Sequence, residues 1–269
     1  MNRIITGCLL AGCCGVEAAE PVKICLGDGN EWPPYTYWER HDGKIDHTRL
    51  SGSATTLVLT ALQRLDLPYE LHYLPWARVQ QELADFARSG HCEMTWDASY
   101  TEERATFAHY SEPLYRTRLG LFYSTRRFAE APAVTDATSL ANYRVCGVIG
   151  YNYAPYGITQ EVLRVKSVQQ NLGLLQLQRC DFFPSEIEPL YGGLSLGAYQ
   201  GDETLRHLEL PASKAFYLLV SKGSPRGVSL SQALDRELQT LRDSGEAEAI
   251  FRRFQPSALS AQPAGAQSQ

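Results

Sequence analysis

Residues Gly193-Leu194-Ser195-Leu196-Gly197 have the G-x-S-x-G spacing of a nucleophile elbow, in which a serine on a tight strand-to-helix turn attacks an acyl carbon. That chemistry needs an acid and a histidine further along the chain. Only His207 follows, and no strand pattern precedes Ser195, so the short motif does not carry a hydrolase by itself. The 6 histidines are scattered, without H-E-x-x-H or paired ligand spacing. The cysteines show no C-x-x-C. No metal, cofactor or catalytic residue is therefore expected. Aromatic side chains offer a different chemistry, since their faces accept apolar groups and cations. Trp32, Trp96 and Tyr151 are candidates for walls of a binding site. Trp76 falls on a helical apolar stripe and reads as core. Trp32 follows a strand end and is the better ligand wall. Gly150, Tyr151 and Asn152 can supply backbone and side-chain hydrogen bonds, although a simple turn accounts for them nearly as well.

Such residues need a scaffold, and the chain is long enough for one. Its 269 residues, 44% of them hydrophobic, can build one large or two medium domains. With 25 basic against 30 acidic residues it lacks the basic excess of a nucleic-acid binder. Arg3 precedes an apolar run over residues 4–12, and Val16-Glu17-Ala18 places small residues for cleavage before Ala19. This reads as an export signal over residues 1–18. Leu10-Ala11-Gly12-Cys13 also resembles a bacterial lipobox, so a soluble periplasmic protein and one lipid-anchored at Cys13 both stand as readings. Beyond the signal, Cys25, Cys92, Cys146 and Cys180 remain. An even count in an oxidising compartment suggests disulfides, and three pairings are open.

The elements come in α/β order. Val22–Gly27 is a strand, and Gly43 marks a hairpin or loop. Ser53 can cap a helix over 55–65, and 69–73 alternates as a strand. Pro75 can open a helix carrying Trp76, Val79, Leu83 and Phe86 on one face, with Gly90 as its stop. Residues 92–98 form the next strand. The pattern restarts after residue 130, with strands at 144–149 and 180–183 and helices at 159–165 and 171–178. An extended stretch leads to a strand at 218–221, and residues 227–254 hold one or two amphipathic helices. The tail from Pro256 is Ala/Ser/Gln/Pro-rich and expected to be disordered. Alternation of strands and helices argues for parallel β-α-β units, and two α/β halves with a cleft between them are expected.

Five motifs in order resemble the family 3 solute-binding proteins, the periplasmic receptors of polar amino-acid ABC transporters, over nearly the whole mature chain. They are Trp32-Pro33-Pro34-Tyr35; Ser99-Tyr100-Thr101-Glu102-Glu103-Arg104; Tyr110-Ser111-Glu112-Pro113-Leu114-Tyr115; the glycine-ended Val148-Ile149-Gly150-Tyr151; and the C-terminal Leu241-Arg242-Asp243-Ser244-Gly245-Glu246 with Ile250-Phe251-Arg252-Arg253-Phe254.

The resemblance implies a two-lobed (type II) periplasmic binding protein-like α/β fold. Lobe 1 would take residues 19–124, lobe 2 residues 125–210, and the chain would return to lobe 1 over 211–255 before the tail at 256–269. It implies a monomer that captures a small polar, amino-acid-like carboxylate and delivers it to an ABC permease, without chemistry on the ligand. Arg104 would clamp the carboxylate, since a planar guanidinium donates two parallel hydrogen bonds, with Asp97 and Ser99 nearby on the strand end. Otherwise Arg104 is a surface residue paired with Glu102 or Glu103. Glu186 falls nearest the position that holds a ligand's ammonium group. Gly150, Tyr151 and Asn152 would act from lobe 2. The family frame also implies the pairs Cys25–Cys92 and Cys146–Cys180. Two departures, Ser51-Gly52-Ser53 in place of Gly-Phe-Asp and Pro184 before Glu186, keep two other roles open: a dehydratase-like enzyme on the same fold, or a ligand sensor for a membrane signalling protein.

Overall fold

The computed structural model describes residues 20–29, 31–134, 137–158 and 160–254. Residues 1–18, where an export signal is expected, Cys13 among them, and the tail at 256–269 lie outside the described residues.

Strand β1 (Val22–Gly27) buries Val22, Ile24, Cys25 and Leu26. It pairs in parallel with β4 (Tyr69–Leu74) on one side and β5 (Met94–Ser99) on the other. Between β1 and β4 lie a hairpin, β2 (Tyr37–His41) and β3 (Lys44–Ser51), and helix α1 (Ser53–Arg64). Ser53 does not cap this helix. Gly52 takes that place with φ 121°, and a Cβ on it would come within 2.2 Å of the Tyr35 carbonyl, so a residue without a side chain is required. The helix opened by Pro75 breaks at Asp85 into α2 (Trp76–Ala84) and α3 (Phe86–Ser89), and Gly90 closes it in the left-handed conformation.

After the short helix α4 (Glu102–Phe107) and strand β6 (Ala108–Tyr110), β7 (Tyr115–Ser124) leaves the first core. Tyr115 packs there, whereas Leu119, Leu121 and Tyr123 belong to a second core with Leu140, Val145 and Phe182. Helix α5 (Ala137–Leu140) leads to β8 (Val145–Val148), a 3-10 turn at Ala154–Tyr156 and β9 (Val162–Val165). The helix expected over 159–165 is thus a strand, parallel to β8. Its Val-Leu-Arg-Val run is rich in β-branched residues, which suit a pleated surface. Helix α6 (Val168–Gln176), β10 (Phe183–Glu186) and α7 (Ile187–Leu196) follow.

The 17-residue β11 (Leu205–Ser221) then returns. Leu208 and Leu210 pack on the second core, and Phe216, Leu218 and Val220 belong to the first. Its ladder with β7 breaks between Leu210 and Ser213, at Pro211, which has no N–H to donate. Helices α8 (Gly227–Asp243) and α9 (Glu246–Arg253) pack their apolar faces on α1. The main sheet runs β10-β7-β11-β5-β1-β4, with β6 beside β11. It is mixed rather than purely parallel, because β7 and β11 are antiparallel to each other and cross between the cores. The fold is α/β and two-lobed, with β7 and β11 as the connecting strands.

The cysteines pair Cys25–Cys92 and Cys146–Cys180. Among the described residues no helix is long and apolar enough to cross a membrane, and no group of three or more His, Cys, Asp or Glu is placed to hold a metal ion. Ser195 lies exposed on α7, away from any strand-to-helix turn. The glycines of its motif are there for packing. A Cβ on Gly193 would lie 2.2 Å from the Tyr199 ring, and Gly197 closes α7 with φ 74°.

Candidate functional site

The first core presents the C-terminal end of β5 to a cleft of about 770 Å³, its open mouth included. Trp32, Asp97, Ser99, Arg104, Tyr151, Asn152 and Glu186 all line it. Gly150 contributes through its carbonyl.

Arg104 is placed by local sequence. Thr101 caps α4 by accepting a hydrogen bond from the Arg104 N–H at 3.1 Å, while Glu102 and Glu103 sit in the first turn, where the helix dipole favours them. The Arg104 side chain turns back over the end of β5 and is 4% exposed, so it is not a surface residue paired with its acidic neighbours. Its Nε donates to Gln80 Oε1 at 2.7 Å, and Nη1 donates to the Ser99 carbonyl at 2.7 Å and Ser99 Oγ at 3.2 Å. Nη2 reaches across to the Gly150 carbonyl at 3.0 Å. The guanidinium lies 5.7 Å from the Trp76 ring. Burial lowers its pKa, with Tyr110 and Glu103 acting in the opposite direction.

The second lobe approaches closely here. Gly150 has φ 80°, and a Cβ on it would meet Gln80 Nε2 at 2.9 Å. Asn152 Nδ2 donates to the Tyr100 carbonyl at 2.9 Å and Ser99 Oγ at 3.3 Å. Tyr199 donates its hydroxyl to the Glu31 carbonyl.

Glu186 is 1% exposed and paired with Lys214 Nζ at 2.6 Å. Lys214 also donates to the Asn152 carbonyl at 2.7 Å and lies over the rings of Tyr156 and Phe216. Burial lowers the Lys214 pKa, and Glu186 pulls it back up. Glu186 thus lines the cleft as half of an ion pair rather than as a free carboxylate.

Asp97 adopts φ 60°, a left-handed conformation uncommon outside Gly, Asn and Asp. Its Oδ1 accepts from the Tyr115 hydroxyl at 2.6 Å, and Thr36 also hydrogen-bonds to its carboxylate. Burial pushes its pKa up to about 6 against both hydrogen bonds. A folded-state pKa above the unfolded one means that the stability linked to this proton is fully present below about pH 4 and lost as pH rises through about 6. The expected size is about 3 kcal/mol. It is read as the difference in unfolding free energy between the protein and its Asp97→Asn variant across that window. A flat difference would refute it.

Sequence reasoning missed several parts of the lining: Lys214, Phe216, Glu31, Thr36, Trp38 and Tyr73. Trp76, read from its helical stripe as core, packs on the buried residues beneath α2 and also borders the cleft. It stands at the first turn of α2.

No family model matches the chain, and no curated protein matches it by sequence. Solved structures match in fold. A substrate-binding protein of an amino-acid ABC transporter superposes with a TM-score of 0.66 at 16% identity, covering 86% of this chain and 98% of that one. The arginine-, lysine-, histidine-binding protein ArtJ of the thermophilic bacterium Geobacillus stearothermophilus gives 0.65 at 16%, with coverages of 88% and 97%. A histidine kinase sensor domain with similarity to periplasmic binding proteins gives 0.69 at 16%, with coverages of 88% and 96%. The chain has the fold of the two-lobed periplasmic binding proteins. Its structural neighbours include amino-acid-binding transport receptors and a sensor domain.

Proposed function

We propose that the protein is an exported receptor that captures a small, amino-acid-like carboxylate between its lobes and delivers it to an ABC permease, acting as a monomer and without chemistry on the ligand. The observation that carries this reading is Arg104, a buried cation at the cleft whose hydrogen-bond partners are all neutral. Four of its five N–H groups are used, three of them on lobe 1 and one on the Gly150 carbonyl. A ligand carboxylate takes the fifth and competes with that carbonyl, and a charge-assisted hydrogen bond is roughly twice as strong as a neutral one. Ser99 and Asn152 stand beside this point, and Trp32 and Tyr151 enclose the less polar part of the ligand. Binding rather than catalysis also fits the acids at the cleft. Glu186 is held by Lys214, which takes that carboxylate out of a general-acid role. Two disulfides suit an oxidising compartment, in keeping with the signal-like N-terminus and the lipobox cysteine Cys13.

A thermal-shift screen of the mature protein against amino acids, opines, polyamines and small carboxylates tests the reading. A ligand at a hundredfold its Kd adds about 2.7 kcal/mol, or roughly 5–10 °C for a chain of this size. Arg104→Ala is expected to abolish the shift. Arg104→Lys, which keeps the charge without the fork, should weaken it. A carboxylate that binds Arg104→Ala as tightly as the unaltered protein overturns the clamp.

A further inference from the structure

Of the six charged residues that line the cleft, Glu31, Glu186 and Lys214 have a counter-charge in the protein. Glu186 is matched by Lys214 at 2.6 Å, and Glu31 by Arg40 at 2.7 Å. Asp28 is exposed at the mouth, where water solvates it. Two charges are left over. Arg104 is buried among neutral acceptors. Asp97 is held by the neutral hydroxyls of Tyr115 and Thr36, and no cation of the described residues acts on it. Burying an unpaired charge is costly, and a chain that keeps one of each sign in a single cleft is complementary to a ligand that carries both.

Resting on the receptor reading above, we infer that Asp97 receives the cationic end of a zwitterionic ligand whose carboxylate meets Arg104, so that the first lobe reads both charges. Both residues come from one β5–α4 segment, with Asp97 and Ser99 on the strand and Arg104 in the first turn of the helix. The left-handed backbone at Asp97 is the kind of local strain that collects at binding sites. Trp32, Trp96 and Tyr151 line the same cleft, and their faces favour a cation. The resemblance points instead to Glu186 of the second lobe for this role. Lys214 has already neutralised that carboxylate, and the second lobe offers the ligand mainly carbonyl and amide groups at Gly150 and Asn152. The second lobe therefore closes over a ligand already oriented at both ends. Discrimination between an amine and its uncharged analogue belongs to Asp97.

Asp97→Asn is the decisive variant, because asparagine tolerates the left-handed conformation as aspartate does and can still accept the Tyr115 hydrogen bond. The probes are the L-amino acids, each beside its 2-hydroxy acid, followed by thermal shift and calorimetry. The expected result is that Asp97→Asn lowers affinity for the bound amino acid about tenfold to hundredfold, and leaves the 2-hydroxy acid within about twofold. Without added ligand the variant should melt higher than the unaltered protein at pH 7, since a partly buried charge with no cationic partner among the described residues has gone. That separates loss of recognition from loss of folding. If Asp97→Asn binds the amino acid unchanged, or loses amino acid and hydroxy acid equally, this inference fails while the receptor reading stands. If no probe shifts the unaltered protein, the receptor reading fails and takes the inference with it.

Discussion

Lys214→Met is expected to cost about 3–5 kcal/mol of folding stability, while Lys214→Met combined with Glu186→Met should recover most of that loss. The asymmetry follows from burial. Lys214 and Glu186 have side-chain exposures of only 5% and 2%. In the register of the sheet, Glu186 on β10 faces Leu119 of β7, and Lys214 on β11 faces Thr117 of the same strand. The ion pair therefore spans β7 where the three strands lie side by side. Taking away the lysine leaves a carboxylate in a dry site, and also strips the Asn152 carbonyl of its donor. Removing both charges leaves only a packing change among Tyr156, Phe216 and the cleft wall. Denaturant titration of the protein, the single variant and the double variant reads the three values with one m-value. A single variant that costs less than about 1 kcal/mol, or a double variant that costs as much as the single one, would refute the account.

That pair also marks a limit of what the sequence shows. Trp32, Tyr151 and Asn152 are legible from the strand ends and turns they follow, and Asp97, Ser99, Arg104 and Glu186 only through the resemblance of their motifs to the solute-binding family; all seven line one cleft. Lys214 is not legible. It follows Leu-Pro-Ala-Ser, a stretch that reads as a break in the chain, and its role depends on β11 pairing with a strand nearly a hundred residues earlier, at Thr117. Such long-range registers leave no local trace. Trp76 is legible only in part. Its spacing with Val79 and Leu83 follows the buried stripe of α2 and it packs on that core, but periodicity does not show that its ring also borders the cleft. The segment over 162–165 is too short for its period to separate helix from strand. Only its partner β8, with Val145↔Val162 and Val148↔Val165, decides the matter. The fold class was legible because it rests on the order of several elements. The mixed sheet was not, since it depends on two strands that cross between lobes.

Removing either disulfide is expected to lower stability by about 4 kcal/mol in the chain-entropy account, which for a chain of this size is roughly 8–16 °C in Tm. Cys25–Cys92 closes a loop with a sequence separation of 67, and Cys146–Cys180 one with a separation of 34. Closure entropy grows only slowly with loop length, so the two should differ by less than about 1 kcal/mol. They lie in different cores, and their losses should add. Their effects on the site should not match. Cys25 and Cys92 pack with Val79 beneath α2, against Leu74 and Trp76, so the first bridge supports the helix that carries Gln80 and the Trp76 wall beside Arg104. The second bridge ties β8 to the residues just before β10 in the other lobe, among Val148, Leu172 and Phe183. Cys25→Ala/Cys92→Ala should therefore weaken ligand binding as well as folding. Cys146→Ala/Cys180→Ala should lower Tm by a similar amount with a smaller effect on affinity. Thermal unfolding and calorimetry of the two double variants check both points. Equal losses of affinity would show that the lobes transmit strain to the cleft alike, and would remove the special role given to the α2 wall.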